Sequence, residues 1–156
     1  MKSVYAANLG LMLMAVLLLG CLTIHKQTKG KVVQGIQGQV FEQKGNLMPQ
    51  VGKLVSKGVG YATQLYVFEP TSIQTARQLS GSIFSLPSTK LIGAFATDSL
   101  GHFKVNLAPG RYSIFVGYEN GYYANSFNQL NELGIVQVSA GNFVAMEVII
   151  SAKASY

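Results

Sequence analysis

Much of the chain from residue 62 onward alternates apolar and polar positions with period two, the spacing that sends successive side chains to opposite faces of an extended strand. The clearest run is 102–107, with Phe103, Val105 and Leu107 on one face and Lys104 and Asn106 on the other. Residues 111–118 align Tyr112, Ile114, Val116 and Tyr118, and residues 143–151 align Val144, Met146, Val148 and Ile150 opposite Glu147. Residues 62–68 set Leu65 and Val67 against Tyr66 and Phe68. Weaker runs cover 32–41, with Ile36 and Val40 in common, 90–97 and 135–139. Turn residues separate them: Asp98-Ser99-Leu100-Gly101, Ala108-Pro109-Gly110, Glu119-Asn120-Gly121 and Ala140-Gly141-Asn142. In the first, the Asp98 carboxylate is expected to cap the turn and Gly101 to take positive φ. This pattern predicts an all-β fold, an antiparallel β-sandwich of about seven strands. Its expected core includes Val40, Val67, Phe103, Val105, Ile114, Val116, Val148 and Ile150. Residues 43–61 and 70–89 are less readable, with a helical turn expected around 73–79.

The N-terminal pattern is different. A single cation, Lys2, precedes an apolar run over residues 9–19 that ends in Gly20-Cys21. A spanning helix needs about 20 apolar residues, whereas a signal-peptide core needs roughly 7–15. Residues 1–20 therefore read as a secretory signal peptide. The sequence Leu18-Leu19-Gly20-Cys21 resembles the lipobox read by lipoprotein signal peptidase, with a small residue before the cut and a thiol after it to take the diacylglyceryl group. Cys21 would then be the lipidated first residue of an exported protein. Residues 21–31 would be a tether and 32–156 the folded domain. The alternatives are a buried cysteine ending a core helix and a retained membrane anchor. With Cys21 as the single cysteine, the exported domain would fold without a disulfide.

Composition narrows the function. Twelve Lys and Arg face six Asp and Glu, a formal charge of +6. The cations are scattered, except for Lys26, Lys29 and Lys31 in the tether, where they either keep it solvated or favour anionic headgroups. No basic stripe interleaves with aromatics, which argues against a nucleic-acid partner. The two histidines, His25 and His102, stand apart, so no metal or other cofactor is expected. No carboxylate pair, nucleophile elbow or phosphate loop suggests an enzyme.

The stretch from Thr97-Asp98 through Gly101, Pro109-Gly110 and Tyr112-Ser113-Ile114-Phe115-Val116 resembles the hairpin signature of carboxypeptidase regulatory-like domains. Gly38-Gln39-Val40, Gly45-Asn46-Leu47-Met48-Pro49 and Tyr66-Val67-Phe68-Glu69 fit the strands and loop around it. The resemblance covers most of residues 35–151. It implies a transthyretin-like (prealbumin-like) sandwich, a non-catalytic accessory module, and a free-standing lipoprotein of Bacteroidetes type. No catalytic residue is carried over.

The expected role is an accessory binding or scaffolding module of the cell envelope, tied to the membrane through Cys21 and working with a protein partner. Leu22-Thr23-Ile24 lacks acidic residues after the cysteine, which points to the periplasmic face of the outer membrane. The alternative is direct glycan or peptide binding by Tyr118, Tyr122, Tyr123 and Phe127, aromatics set among Asn120, Asn125, Asn128 and Asn131. Against it, Tyr118 ends a strand and the other three rings can simply pack over the open end of the sandwich.

Overall fold

In the computed structural model, eleven strands form two sheets, and no helix occurs among the described residues, 34–48, 52 and 56–155. The expected signal peptide, Cys21 and the tether lie outside them. The strands are β1 Gly35–Asn46, β2 Val59–Gly60, β3 Gln64–Phe68, β4 Gln78–Ser80, β5 Ile83–Phe84 and β6 Leu91–Ala96. They continue as β7 His102–Asn106, β8 Gly110–Tyr118, β9 Gly121–Tyr123, β10 Ile135–Val138 and β11 Phe143–Ser155. The seven anticipated runs correspond to β1, β3, β6, β7, β8, β10 and β11. The four additional strands are only two or three residues long.

The first sheet joins β11 to β1, whose other edge is shared by β7 along Gly35 to Gln39 and by β2 at Phe41 and Glu42. The second runs β4-β5-β9-β8-β3-β6, with β10 also on β8. One core joins the sheets: Ile36, Val40, Phe103, Val105, Val148 and Ile150 from the first meet Leu65, Val67, Ile114, Val116 and Tyr123 from the second. All eight expected core residues lie in this cluster. Period-two alternation was enough to find them, because a strand with one wet face must bury the other.

Two expectations are corrected. The sandwich is not wholly antiparallel: β1 and β11, near the two ends of the described chain, run parallel, with Ile36 opposite Val144 and Val40 opposite Val148. Alternation is the same in parallel and antiparallel strands, so strand direction was never encoded in it. Nor do residues 98–116 form a hairpin. β6 belongs to the second sheet, β7 to the first and β8 to the second again, so both turns carry the chain across the sandwich. Phe103 and Val105 face Ile114 and Val116 through the core instead of lying beside them.

The Asp98 turn itself has the expected geometry. The Asp98 Oδ1 atom accepts hydrogen bonds from the backbone N–H groups of Leu100 at 2.9 Å and His102 at 2.7 Å, and the Gly101 N–H donates to the Asp98 carbonyl at 3.0 Å. Gly101 sits at φ 83°, and a Cβ there would lie 2.3 Å from the Val40 carbonyl oxygen. The glycine thus serves both the turn and the approach of β1.

The second sheet is covered on both faces. In β8 the four consecutive residues Ser113, Ile114, Phe115 and Val116 are buried. The outward Phe115 packs edge-on to Phe68 at 5.7 Å and Phe84 at 6.2 Å, in a second core with Ala76, Ala124 and Leu133. The cover is residues 70–89 together with 124–134. Its anticipated helix is a single turn, in which the N–H groups of Thr75 and Ala76 donate to the Ser72 carbonyl, before the chain extends into β4.

Candidate binding surface

The four aromatics singled out from the sequence do not form one surface. The pairing of Tyr118 with Gly121 closes a tight hairpin between β8 and β9 over Glu119 and Asn120, with Glu119 at φ 51°. Residues then alternate about that turn. Tyr118 and Tyr123 point into the main core, at 2% and 1% exposure, with ring centroids 6.1 Å apart. Tyr122 points to the opposite face and packs edge-on to Tyr66 at 4.9 Å. Burial, then the neighbouring Tyr66, raise its pKa. Phe127 alone is open, at 72% exposure.

The buried hydroxyls are satisfied within the fold. Tyr123 donates to the Ile149 carbonyl at 3.0 Å and accepts from the Ser151 N–H at 3.1 Å. Tyr118 donates to Glu42 Oε1 at 2.9 Å. Burial, followed by Glu42, pushes the Tyr118 hydroxyl up to about 12. Burial also raises Glu42, but the Lys44 ammonium and the Tyr118 hydroxyl outweigh it and hold the carboxyl below its ordinary range. These groups join the sheets and leave little free for a ligand.

Phe127 stands on a platform built by hydrogen bonds. The Asn128 Oδ1 atom accepts from the N–H groups of Leu130 at 2.9 Å and Glu132 at 3.1 Å, and its amide donates to Glu132 Oε2 at 2.7 Å. The Asn128 amide, and with it the Arg111 guanidinium, which also bonds Glu132, lowers the Glu132 pKa. Asn131 takes φ 57°. Leu133 anchors the loop in the second core, with its N–H 2.7 Å from the Thr71 carbonyl. The Ile73 N–H donates to the Asn131 carbonyl at 3.1 Å, tying the 70s segment to the same platform.

This platform presents apolar side chains to solvent: Ile73 at 47%, Leu130 at 67% and Phe127 at 72% exposure. A cleft of about 310 Å³ lies beside it, floored by Phe84, Ala124 and Leu133 and flanked by Ile73 and Phe127. Exposed apolar groups held on an ordered frame lose little conformational freedom on binding. Ile73 and Leu130 were missed from the sequence. Their signal was present in Leu130, an apolar residue lodged between Asn128 and Asn131, but Ile73 joins it only through the fold.

A larger depression, about 720 Å³, crosses β1, β7 and β11. It is shallow, with Phe103 and Met146 in its lining beside Gln37, Gln39, His102 and Glu147. Lys57 binds both Glu147 oxygens at 2.8 Å, and His102 Nδ1 lies 3.1 Å from Asp98 Oδ2. Among the described residues, no three His, Cys, Asp or Glu groups gather to hold a metal ion. Also among them, no helix is long and apolar enough to cross a membrane. Comparison with family models, with curated proteins and with solved structures found no match.

Proposed function

We propose that this chain is a non-enzymatic, lipid-anchored module of a cell envelope that works by holding another protein. The observation that carries the binding role is the pair of exposed apolar side chains Ile73 and Phe127 lining one cleft, with Leu130 exposed in the same loop as Phe127. Monomeric surfaces carry single apolar residues without consequence, but a contiguous rigid group is the usual form of an interaction site. The anchor is read from the apolar run ending in Gly20-Cys21. The Leu22-Thr23-Ile24 segment supports the periplasmic face of the outer membrane. A transthyretin-like, carboxypeptidase regulatory-like ancestry is part of this reading. It is supported by the Asp98–Gly101 turn and the two-sheet architecture.

Photo-crosslinking in cells tests the role. A photoreactive residue at position 127 is expected to capture a discrete envelope protein, while the same residue at position 104, on the outer face of β7, captures none. Equal capture at both positions, or none at either, would overturn the proposal. Direct glycan binding through Tyr118, Tyr122, Tyr123 and Phe127 as a unit is not favoured, because Tyr118 and Tyr123 are inside the core.

A further inference from the structure

The outermost strand of the second sheet, β6, is the longest uncharged edge strand among the described residues, with six residues against four in β10 and two in β2. Its sequence Leu91-Ile92-Gly93-Ala94-Phe95-Ala96 contains no charge and no proline. It pairs with β3 alone, so its other edge is unpaired among the described residues. Natural sheets blunt such edges with charges, prolines or very short strands. Here β4 has three residues, β7 carries Lys104, and β11 carries Glu147 and Lys153. The only blunting feature of β6 is an irregularity at its Leu91–Ile92 end, where Phe68 pairs with Leu91 and Val67 with Gly93.

The direction of the free backbone groups follows from one bond. The Thr97 N–H donates to the Thr63 carbonyl at 2.9 Å. In an antiparallel ladder, hydrogen-bonded and non-hydrogen-bonded pairs alternate. Phe95 and Gly93 therefore turn their backbone groups toward β3, and Ala94 and Ala96 turn theirs outward. Leu91, Ile92, Ala94 and Ala96 are exposed.

We propose that β6 is a homodimerisation edge, pairing antiparallel with β6 of a second copy of this chain about a two-fold axis at Ala94. The register is what selects a second copy as the occupant. With Ala94 facing Ala94 of the partner subunit, Gly93 faces Phe95 of the partner subunit, and Ile92 faces Ala96 of the partner subunit. Ile92 then meets an alanine and the axis itself is lined by two alanines, while each Phe95 ring stays over Gly93 of its own strand and against the core. The same register sets Lys90 against Asp98 of the partner subunit, twice by symmetry. Lys90 is exposed and forms no ion pair with a described residue, and the Asp98 side chain is 54% exposed. An interface of this kind is self-complementary, as two-fold contacts must be. A single strand pair buries less area than a standard stable interface, so the dimer is of the weak, concentration-dependent class.

The test uses the full-length chain in mild detergent, with Cys21→Ser to remove the native thiol. Sedimentation velocity should show a monomer–dimer equilibrium that shifts with protein concentration. Ala94→Cys should form an intermolecular disulfide on oxidation, because facing residues of a hydrogen-bonded pair lie about 5.5 Å apart. Ile92→Cys should not, since two copies of residue 92 would be separated by about four residues, roughly 13 Å. Ala94→Pro removes only an outward N–H, so folding should persist while dimerisation is lost. Ala94→Lys should also abolish the dimer without touching the ladder to β3. Lys90→Asp should weaken association about fivefold at low salt, less at high salt. A chain that stays monomeric at every concentration, equal cross-linking at 92 and 94, or a dimer that survives Ala94→Pro or Ala94→Lys would each overturn the proposal. None of these readouts involves Phe127, so the edge and the apolar platform can fail separately.

Discussion

The Tyr118 hydroxyl, at the end of β8 in one sheet, donates to the Glu42 carboxylate of β1 in the other sheet at 2.9 Å. Lys44 lies 2.8 Å from the same carboxylate, and Lys153 sits 5.7 Å from the centre of the Tyr118 ring. The bond closes one end of the core with a polar tie between buried or half-buried partners. Tyr118→Phe keeps the ring and removes the tie. It should cost about 1.5–3 kcal/mol in a denaturant melt, the range for a hydrogen bond to a charged group.

The same pair sets a pH dependence at both ends of the scale. The Tyr118 pKa rises from 10.0 to about 12 on folding, so its contribution is complete below about pH 10 and is lost as pH climbs toward 12. Glu42 is lowered on folding, so its contribution is present above the ordinary value of 4.5 and is lost as pH falls through the folded pKa. Stability measured against pH should therefore fall at both limits. Tyr118→Phe should flatten the alkaline fall. An unchanged alkaline limb in that variant would place the titration elsewhere.

The faces of β7 make a sharper test. Phe103 is buried in the main core, and Phe103→Ala should cost about 3–5 kcal/mol. Its neighbour Lys104 points outward, with its ammonium 4.4 Å from the centre of the Phe143 ring. Lys104→Ala should cost no more than about 1 kcal/mol, the worth of an exposed cation–π contact. Melts showing similar losses for the two variants would contradict the assigned register.

At the Asp98 turn, Gly101→Val should cost more than about 3 kcal/mol. Backbone strain at positive φ accounts for about 1–3 kcal/mol of this, and the new Cβ also meets the Val40 carbonyl. Thermal melts of Gly101→Val beside Gly141→Ala separate the two contributions. Gly141 has φ 77°, but nothing lies within 4 Å of a Cβ placed there. The smaller loss belongs to Gly141.

For the proposed anchor, Cys21→Ala should abolish incorporation of radiolabelled palmitate and leave unprocessed precursor. Normal labelling and maturation of the variant would remove the lipoprotein assignment while leaving the fold untouched.

For the seven longer strands, the sequence alone determined which segments extend, which way their side chains face and where the chain turns. Those properties are local: a period of two marks the wet and dry sides of a strand, and Asp98 with Gly101 shapes a turn from within its own five residues. The two-residue turn at Glu119-Asn120 carried more than was read from it, since closing that hairpin already sends Tyr118 and Tyr123 inward and Tyr122 outward. Tertiary structure alone decided which strands became neighbours. A turn reverses the chain equally well within a sheet or across a sandwich, and no local pattern distinguishes β7 beside β8 from β7 facing β8. It also decided that Phe115, on the side of β8 that alternation would leave wet, is fully buried. That required Phe84, Ala124 and Leu133 from distant segments to cover it, and the same cover brought Ile73 and Phe127 to one cleft at the surface. Such contacts depend on burying both faces of one sheet at once, a condition on the whole chain that no short window of residues contains.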